Sequence, residues 1–164
     1  KELLKKGECE LAFIVDEENK EQDLVKIPFK KDFLIMICNR SHPLASRKQV
    51  ALSELRGEDF VMFPDSDKNR ISKIIRNTCL EAGFEPKVVF TGTVGSNIVD
   101  SVAKNVGISL LWKKALEFIM REEIAVVEIT PSREIDISLC YMKGRKLSEE
   151  AKLFIEFVRS RAEV

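Results

Sequence analysis

His42, in Ser41-His42-Pro43-Leu44-Ala45, is the sole histidine of this 164-residue chain. A general base, a nucleophilic triad or a zinc site would be built around it most readily. Its surroundings do not supply the rest of such a centre. Cys38 lies four residues back on an apolar, strand-like run, and the alternating faces of a strand do not favour convergence with a loop residue. The plainer expectation is a loop histidine that caps a turn. Asp65-Ser66-Asp67 offers a carboxylate pair for metal or acid–base work. It stands just ahead of a helical repeat at Ile71, Ile74, Ile75, Thr78 and Ala82, however, where Ser66 or Asp67 reads as the N-cap. Ser96 has no Gly-x-Ser-x-Gly around it, and Gly92 and Gly95 do not complete Gly-x-Gly-x-x-Gly. The four cysteines, Cys9, Cys38, Cys79 and Cys140, lie far apart with no Cys-x-x-Cys spacing, and read as reduced thiols used as small core residues. The residues assemble no reaction centre.

One stretch remains. In Lys87 to Leu111 an apolar run, Val88-Val89-Phe90, breaks into Thr91-Gly92-Thr93-Val94-Gly95-Ser96 before a helical pattern at Ile98, Val99, Val102 and Val106. Two readings stand side by side. The turn is a plain strand-to-helix loop with Ser96 as N-cap, or its small residues let backbone N–H groups approach a carboxylate, sulfate or phosphate at the positive end of the helix. In the second reading Thr93 and Ser96 add hydroxyls.

The elements that position these residues alternate between strand and helix, which argues for an α/β fold. Lys1 to Lys6 reads as the last turns of a helix stopped by Gly7, so the chain reads as a fragment of something longer. Strands are expected at Cys9 to Val15, Leu24 to Ile27, Phe33 to Cys38, Phe60 to Phe63, Val88 to Phe90, Ile108 to Leu111, Ile124 to Ile129 and Ile135 to Gly144, with a surface loop from Asp16 to Asp23. The unbroken apolar run at Phe33 to Cys38 suits a strand covered on both faces, as in a mostly parallel sheet. Helices are expected from Asp67 to Gly83, behind Ser96, at Lys113 to Met120, and from Ser148 onward, with a short helical piece around Ser53 to Leu55. Lys plus Arg balances Asp plus Glu at 27 each, so no overall basic field draws the chain to nucleic acid or an acidic membrane. No apolar run approaches the ~20 residues that a membrane span needs.

Four segments together carry a resemblance. Leu3 to Ile14, "LLKKGECELAFI", resembles the LxxGxLDLAI segment of the LysR-type transcriptional regulators, and Ser41 to Ala45 matches their HPLA segment behind its apolar strand. "FEPKVVFTGTVGSNIVDSVAKNVGISLL" resembles their GFxPxIxxE…VxxGxGIxLLP region, and "KGRKLSEEAKLFIEFVRSR" their terminal strand and helix. Cys9 and Glu10 stand where Leu and Asp are usual. Asn105 replaces the first Gly of GxG, a substitution that a left-handed turn tolerates, and Trp112 sits where Pro often ends the strand.

The resemblance implies the effector-binding domain of such a regulator, N-terminally truncated. Its fold would be α/β and two-lobed, like type II periplasmic binding proteins, with mixed, mostly parallel sheets. Residues 1–38 and 139–164 would form a partial first lobe, residues 39–138 the second. A small, anionic effector would bind between the lobes, with Phe63, Pro64, Asp65, Thr93, Gly95 and Ser96 as the second lobe's contribution. The family further implies a cytoplasmic homodimer or homotetramer whose geometry shifts with the effector. DNA would be bound only through an N-terminal helix-turn-helix domain that these residues do not include, and no membrane is involved. Such a regulator domain is a binding module and not an enzyme; the alternatives on the same fold are a solute-binding transport receptor and an enzyme, for which His42 and the Asp65/Asp67 pair would be the only catalytic candidates.

Overall fold

The computed structural model describes residues 1–16, 22–65 and 70–162. Its strands are β1 (Ala12–Asp16), β2 (Leu24–Asn39), β3 (Gln49–Ala51), β4 (Asp59–Met62), β5 (Lys87–Thr91), β6 (Ser109–Trp112), β7 (Ile124–Thr130) and β8 (Glu134–Met142). Its helices are α1 (Glu2–Lys6), α2 (Arg70–Glu81), α3 (Gly95–Ala103), α4 (Lys113–Leu116) and α5 (Glu149–Ser160), with a 3₁₀ turn at Leu52–Leu55. The chain packs as two compact units, Lys1–Asp32 with Glu134–Val164, and Phe33–Arg133.

In the first unit, β1 runs antiparallel to β8, and β8 lies between β1 and β2 in the strand order. Gly7 stops α1 in the left-handed conformation at φ 79°, donating to Leu4 O, while Glu8 N–H reaches Leu3 O at 2.9 Å. Arg145 Nη1 donates to the same Leu4 O at 2.7 Å, so this carbonyl at the helix end accepts from both Gly7 and Arg145. At α5, Ser148 is the N-cap, and its Oγ accepts from Ala151 N–H. Glu10 in turn accepts from Ser148 N–H and Oγ–H at 2.7 Å each, and these two bonds hold its carboxyl below the usual carboxylate range. Ile155 and Val158 bury the inner face of α5 against Ile27 and Leu139.

In the second unit, β2 is flanked by β6 and β7, both antiparallel to it, and β3 adds to β7 in parallel. A separate parallel pair, β4–β5, reaches the start of β6 through the single bridge Phe60↔Ile108. Ile37, Val61, Ile98, Val99, Val102, Leu116 and Ile124 close the core between these strands and α3 and α4.

The α/β class with mixed sheets and most expected elements are present; the local differences have physical causes. Leu24–Ile27 and Phe33–Cys38 belong to one 16-residue strand that carries Pro28 in its course. A fixed φ near −65° is compatible with extended backbone, and an exposed position forgoes one ladder donor at little cost. The apolar run of β2 has antiparallel neighbours, because burial on two faces records coverage and not strand direction. β1 begins only at Ala12, and β3 and the 3₁₀ turn lie where a loop with a helical piece was expected. α3 ends at Ala103, so Val106 lies outside its buried face and is exposed. Asn105 takes the left-handed conformation at φ 58°. The N-cap expected at Ser66 or Asp67, and most of the loop expected after Asp16, fall outside the described residues.

Two positions test this packing. A Cβ on Gly107 would lie 2.4 Å from Asp59 O, a backbone atom that cannot step aside. Gly107→Ala should therefore lower the free energy of unfolding in urea by about 2–3 kcal/mol. Ser109 is fully buried, and its Oγ has no hydrogen-bond partner among the described residues. Ser109→Ala should raise stability by about 1 kcal/mol in the same assay, since it removes an unpaired polar atom at almost constant shape.

Candidate functional site

β4 and β5 run in parallel with Asp59↔Lys87, Phe60↔Val88, Val61↔Phe90 and Met62↔Thr91 paired, a bulge at Phe60/Val61 absorbing the extra residue. Gly92 N–H then donates to Met62 O at 3.0 Å, extending the seam one step past β5. Phe63-Pro64-Asp65 and Thr93–Ser96 thus leave from the carboxyl ends of adjacent parallel strands, the position at which open α/β sheets receive ligands. The geometry brings the two expected segments together.

Within the turn, the residue roles differ from those expected. Val94, in extended conformation, is the N-cap of α3, and Asn97 N–H and Ile98 N–H fold back onto its carbonyl at 3.1 and 3.4 Å. Ser96 is not the cap; it is half-buried in the first helical turn, while Thr93 is exposed. The N-cap makes no side-chain hydrogen bond to this end of α3. Gly95 answers to packing rather than to backbone freedom, since a Cβ there would meet Ile119 Cδ1 at 3.0 Å. Gly92, absent from the expected set, is the more constrained glycine: a Cβ would lie 3.1 Å from both Asn97 Cβ and Ile98 Cγ1 and 3.3 Å from Ile98 N.

The other segment is held from α2. Phe63 packs against the core and its carbonyl accepts from Ser72 Oγ at 3.2 Å. Asp65 is exposed, and its Oδ2 lies 3.3 Å from Arg76 Nε; Arg76 Nη1 also pairs with Glu85. Ser72 and Arg76 escaped the sequence reading. The available signal was their i, i+4 spacing on the same stripe of α2 as Ile75 and Cys79, where two polar residues among apolar ones call for partners. Asp67 lies outside the described residues, so the carboxylate pair is represented by Asp65 alone.

His42 behaves as a structural loop residue. Its Nδ1 accepts from Leu44 N–H at 3.2 Å, and its Nε2 lies 3.2 Å from Glu58 Oε2. A ring whose Nδ1 lone pair is taken in this way directs its remaining proton at the carboxylate. Among the described residues no three His, Cys, Asp or Glu side chains come together to hold a metal.

The fold is that of regulatory domains built like periplasmic binding proteins. The regulatory domain of Synechocystis PCC6803 CcmR, solved in complex with 2-PG, superposes with a TM-score of 0.85 at 20% identity, over 99% of this chain and 77% of that one. The effector-binding domain of QuiR in complex with shikimate gives a TM-score of 0.80 at 23% identity, over 99% of this chain and 76% of that one. Residues 1–163 match the LysR substrate binding domain, and the chain belongs to that family. The transcriptional dual regulator GltC of Bacillus subtilis is 33% identical over 119 residues, 72% of this chain and 39% of its own length. The chain spans about half the length or less of the curated relatives it matches. Those relatives are transcription regulators, which removes support from the transport-receptor alternative. No helix of the described residues is long and apolar enough to cross a membrane.

The thiols are placed for packing. All four cysteines are free; Cys38, Cys79 and Cys140 are buried and Cys9 half-buried. Burial pushes Cys38 up to about 11, with the Glu58 carboxylate adding to it. Burial likewise pushes Cys79 up to about 11 against the pull of the Arg76 guanidinium. At pH 8 each is then thiolate in about one molecule in a thousand. Iodoacetamide at that pH should leave both unmodified in the folded protein, by peptide mass, under conditions that alkylate them fully in guanidinium. Unfolding frees these thiols to ionise from 9.0, so the unfolded chain binds fewer protons than the folded one above that pH. The thiol contribution to stability should therefore fall as pH rises from about 9 toward 11.

Proposed function

We propose that this domain senses a small anionic effector, received by the Phe63–Asp65 segment and the Thr93, Gly95 and Ser96 turn. The observation that carries this reading is the meeting of two parallel-strand exits at a helix N-terminus to which the N-cap makes no side-chain hydrogen bond. Backbone N–H groups and the helix dipole favour a negative group there, and the Thr93 and Ser96 hydroxyls add donors. Family membership and the small molecules bound by CcmR and QuiR support a sensing role of this kind.

In the whole regulator, the effector would favour one arrangement of the domain over another by its differential affinity for the two. That shift would alter the geometry of a homodimer or homotetramer, and with it the spacing of N-terminal helix-turn-helix heads on DNA. The protein would work in the cytoplasm, where that DNA is, and this domain would do no chemistry of its own. His42, spent on Leu44 and Glu58, supplies no base to the two segments.

Thermal unfolding of the regulator with its complete regulatory domain, against small organic acids, amino acids and inorganic anions, tests this. A compound that binds only the folded state at 100 times its Kd adds about 2.7 kcal/mol. Ser96→Ala or Thr93→Val should weaken binding of that compound by about 1–3 kcal/mol. Affinity unchanged in both variants would remove the turn from the site.

A further inference from the structure

We propose that Arg76, seconded by Ser72, is the positioning residue of the Phe63–Asp65 segment, and that Asp65 serves the site as Arg76's partner rather than as a ligand-directed charge. This rests on the reading of that segment as ligand-facing, and adds to it what holds the segment in place.

The β-ladder ends at Met62↔Thr91, so nothing in the sheet fixes the three residues beyond it. Pro64 has no N–H to contribute. α2 supplies two grips in their place, one helical turn apart. The first is Ser72 Oγ–H, donated to the Phe63 carbonyl from a side chain 1% exposed. The second is the Arg76 guanidinium beside Asp65 Oδ2. Ile75 and Cys79, buried on the same stripe, seat α2 against its surroundings. The guanidinium is therefore placed by helix packing, and the segment comes to it.

The details of the second grip favour positioning over anion capture. Arg76 Nε is buried and, though 3.3 Å from Asp65 Oδ2, lacks an aligned hydrogen-bond acceptor. Its Nη1 is taken by Glu85, which precedes Pro86 and β5. Two carboxylates on one guanidinium leave a net negative group, a poor receptor for an anion. The same pairing ties the segment after β4 to the approach to β5, so one side chain braces both strands of the seam. The specificity consequence is direct. With Arg76 shared between two carboxylates, recognition of an anion falls to backbone groups and to the hydroxyls of the turn.

Amide hydrogen exchange on the full-length regulator, read by peptide mass, decides the point without any ligand. Arg76→Met and Asp65→Asn should each speed exchange in the peptide spanning Phe60–Asp65 by about threefold or more. The double variant should add nothing further, Arg76→Lys should recover most of the protection, and the peptide spanning Lys87–Asn97 should change less. Unchanged exchange at Phe60–Asp65 in Arg76→Met overturns the proposal. So does additive loss in the double variant, or an equal loss across both peptides, which would mark a general destabilisation. Because no effector enters this experiment, its failure leaves the sensing role standing. Failure of the Ser96 and Thr93 variants to affect binding would instead remove the ligand-facing reading while leaving the grip intact.

Discussion

Asp59 O occupies the space that a side chain on residue 107 would need, at 2.4 Å from an ideal Cβ. That close approach lets Ile108 N–H donate to Asp59 O, and Val61 N–H to Ile108 O, each at 2.8 Å. These two bonds set β4 against the start of β6. β5 is then set by its parallel ladder with β4, and Gly92 by its bond to Met62 O. The place where the two candidate segments emerge is thus determined by main-chain bonds that involve none of the candidate side chains. Glycine at 107 is a requirement of space, and the whole edge of the second unit answers to it.

Beyond Met62 and Gly92 the forces change scale. The core beneath α3 is made of fully buried aliphatic side chains, Ile37, Val61, Ile98, Val99 and Val102 among them, each worth about 1.5–3 kcal/mol of transfer free energy. The segments above it are held by a hydroxyl-to-carbonyl bond and by a partly exposed ion pair, whose kind contributes about 0–1 kcal/mol. A rigid seam with weakly held exits is what a sensor needs. The frame is held more strongly than the segments that leave it. The raised Cys38 and Cys79 belong to the frame, since thiols kept neutral by burial behave as small apolar residues.

What the amino-acid sequence disclosed follows the range of the forces involved. Helix ends are local events. Gly7 and Gly83 in the left-handed conformation, Asn105 at φ 58° and Ser148 at the N-cap of α5 stand where residue type alone places them. Strand partners are not local, and the apolar stretch from Phe33 to Cys38 carries no mark of the antiparallel β6 and β7 beside it. At α3, Ser96 is the better capping residue by type. Val94 takes the position because Gly92, pinned to Met62 O and packed on Asn97 and Ile98, starts the helix early. Phe63, Pro64 and Asp65 were legible as a segment; Ser72 and Arg76 were not, because their partners lie across a turn between strand and helix. The motif marks where a segment is, and only the packed helix shows what holds it.

The same division of labour bears on the comparison with solved domains. A TM-score of 0.85 at 20% identity means that the frame survives the replacement of most side chains. A frame set by main-chain bonds and close approaches such as Gly107 on Asp59 asks little of residue identity elsewhere. Domains of one shape accordingly hold 2-PG in one protein and shikimate in another. In this chain the two strand exits present the N-terminal end of α3 and the Asp65 carboxylate beside Arg76.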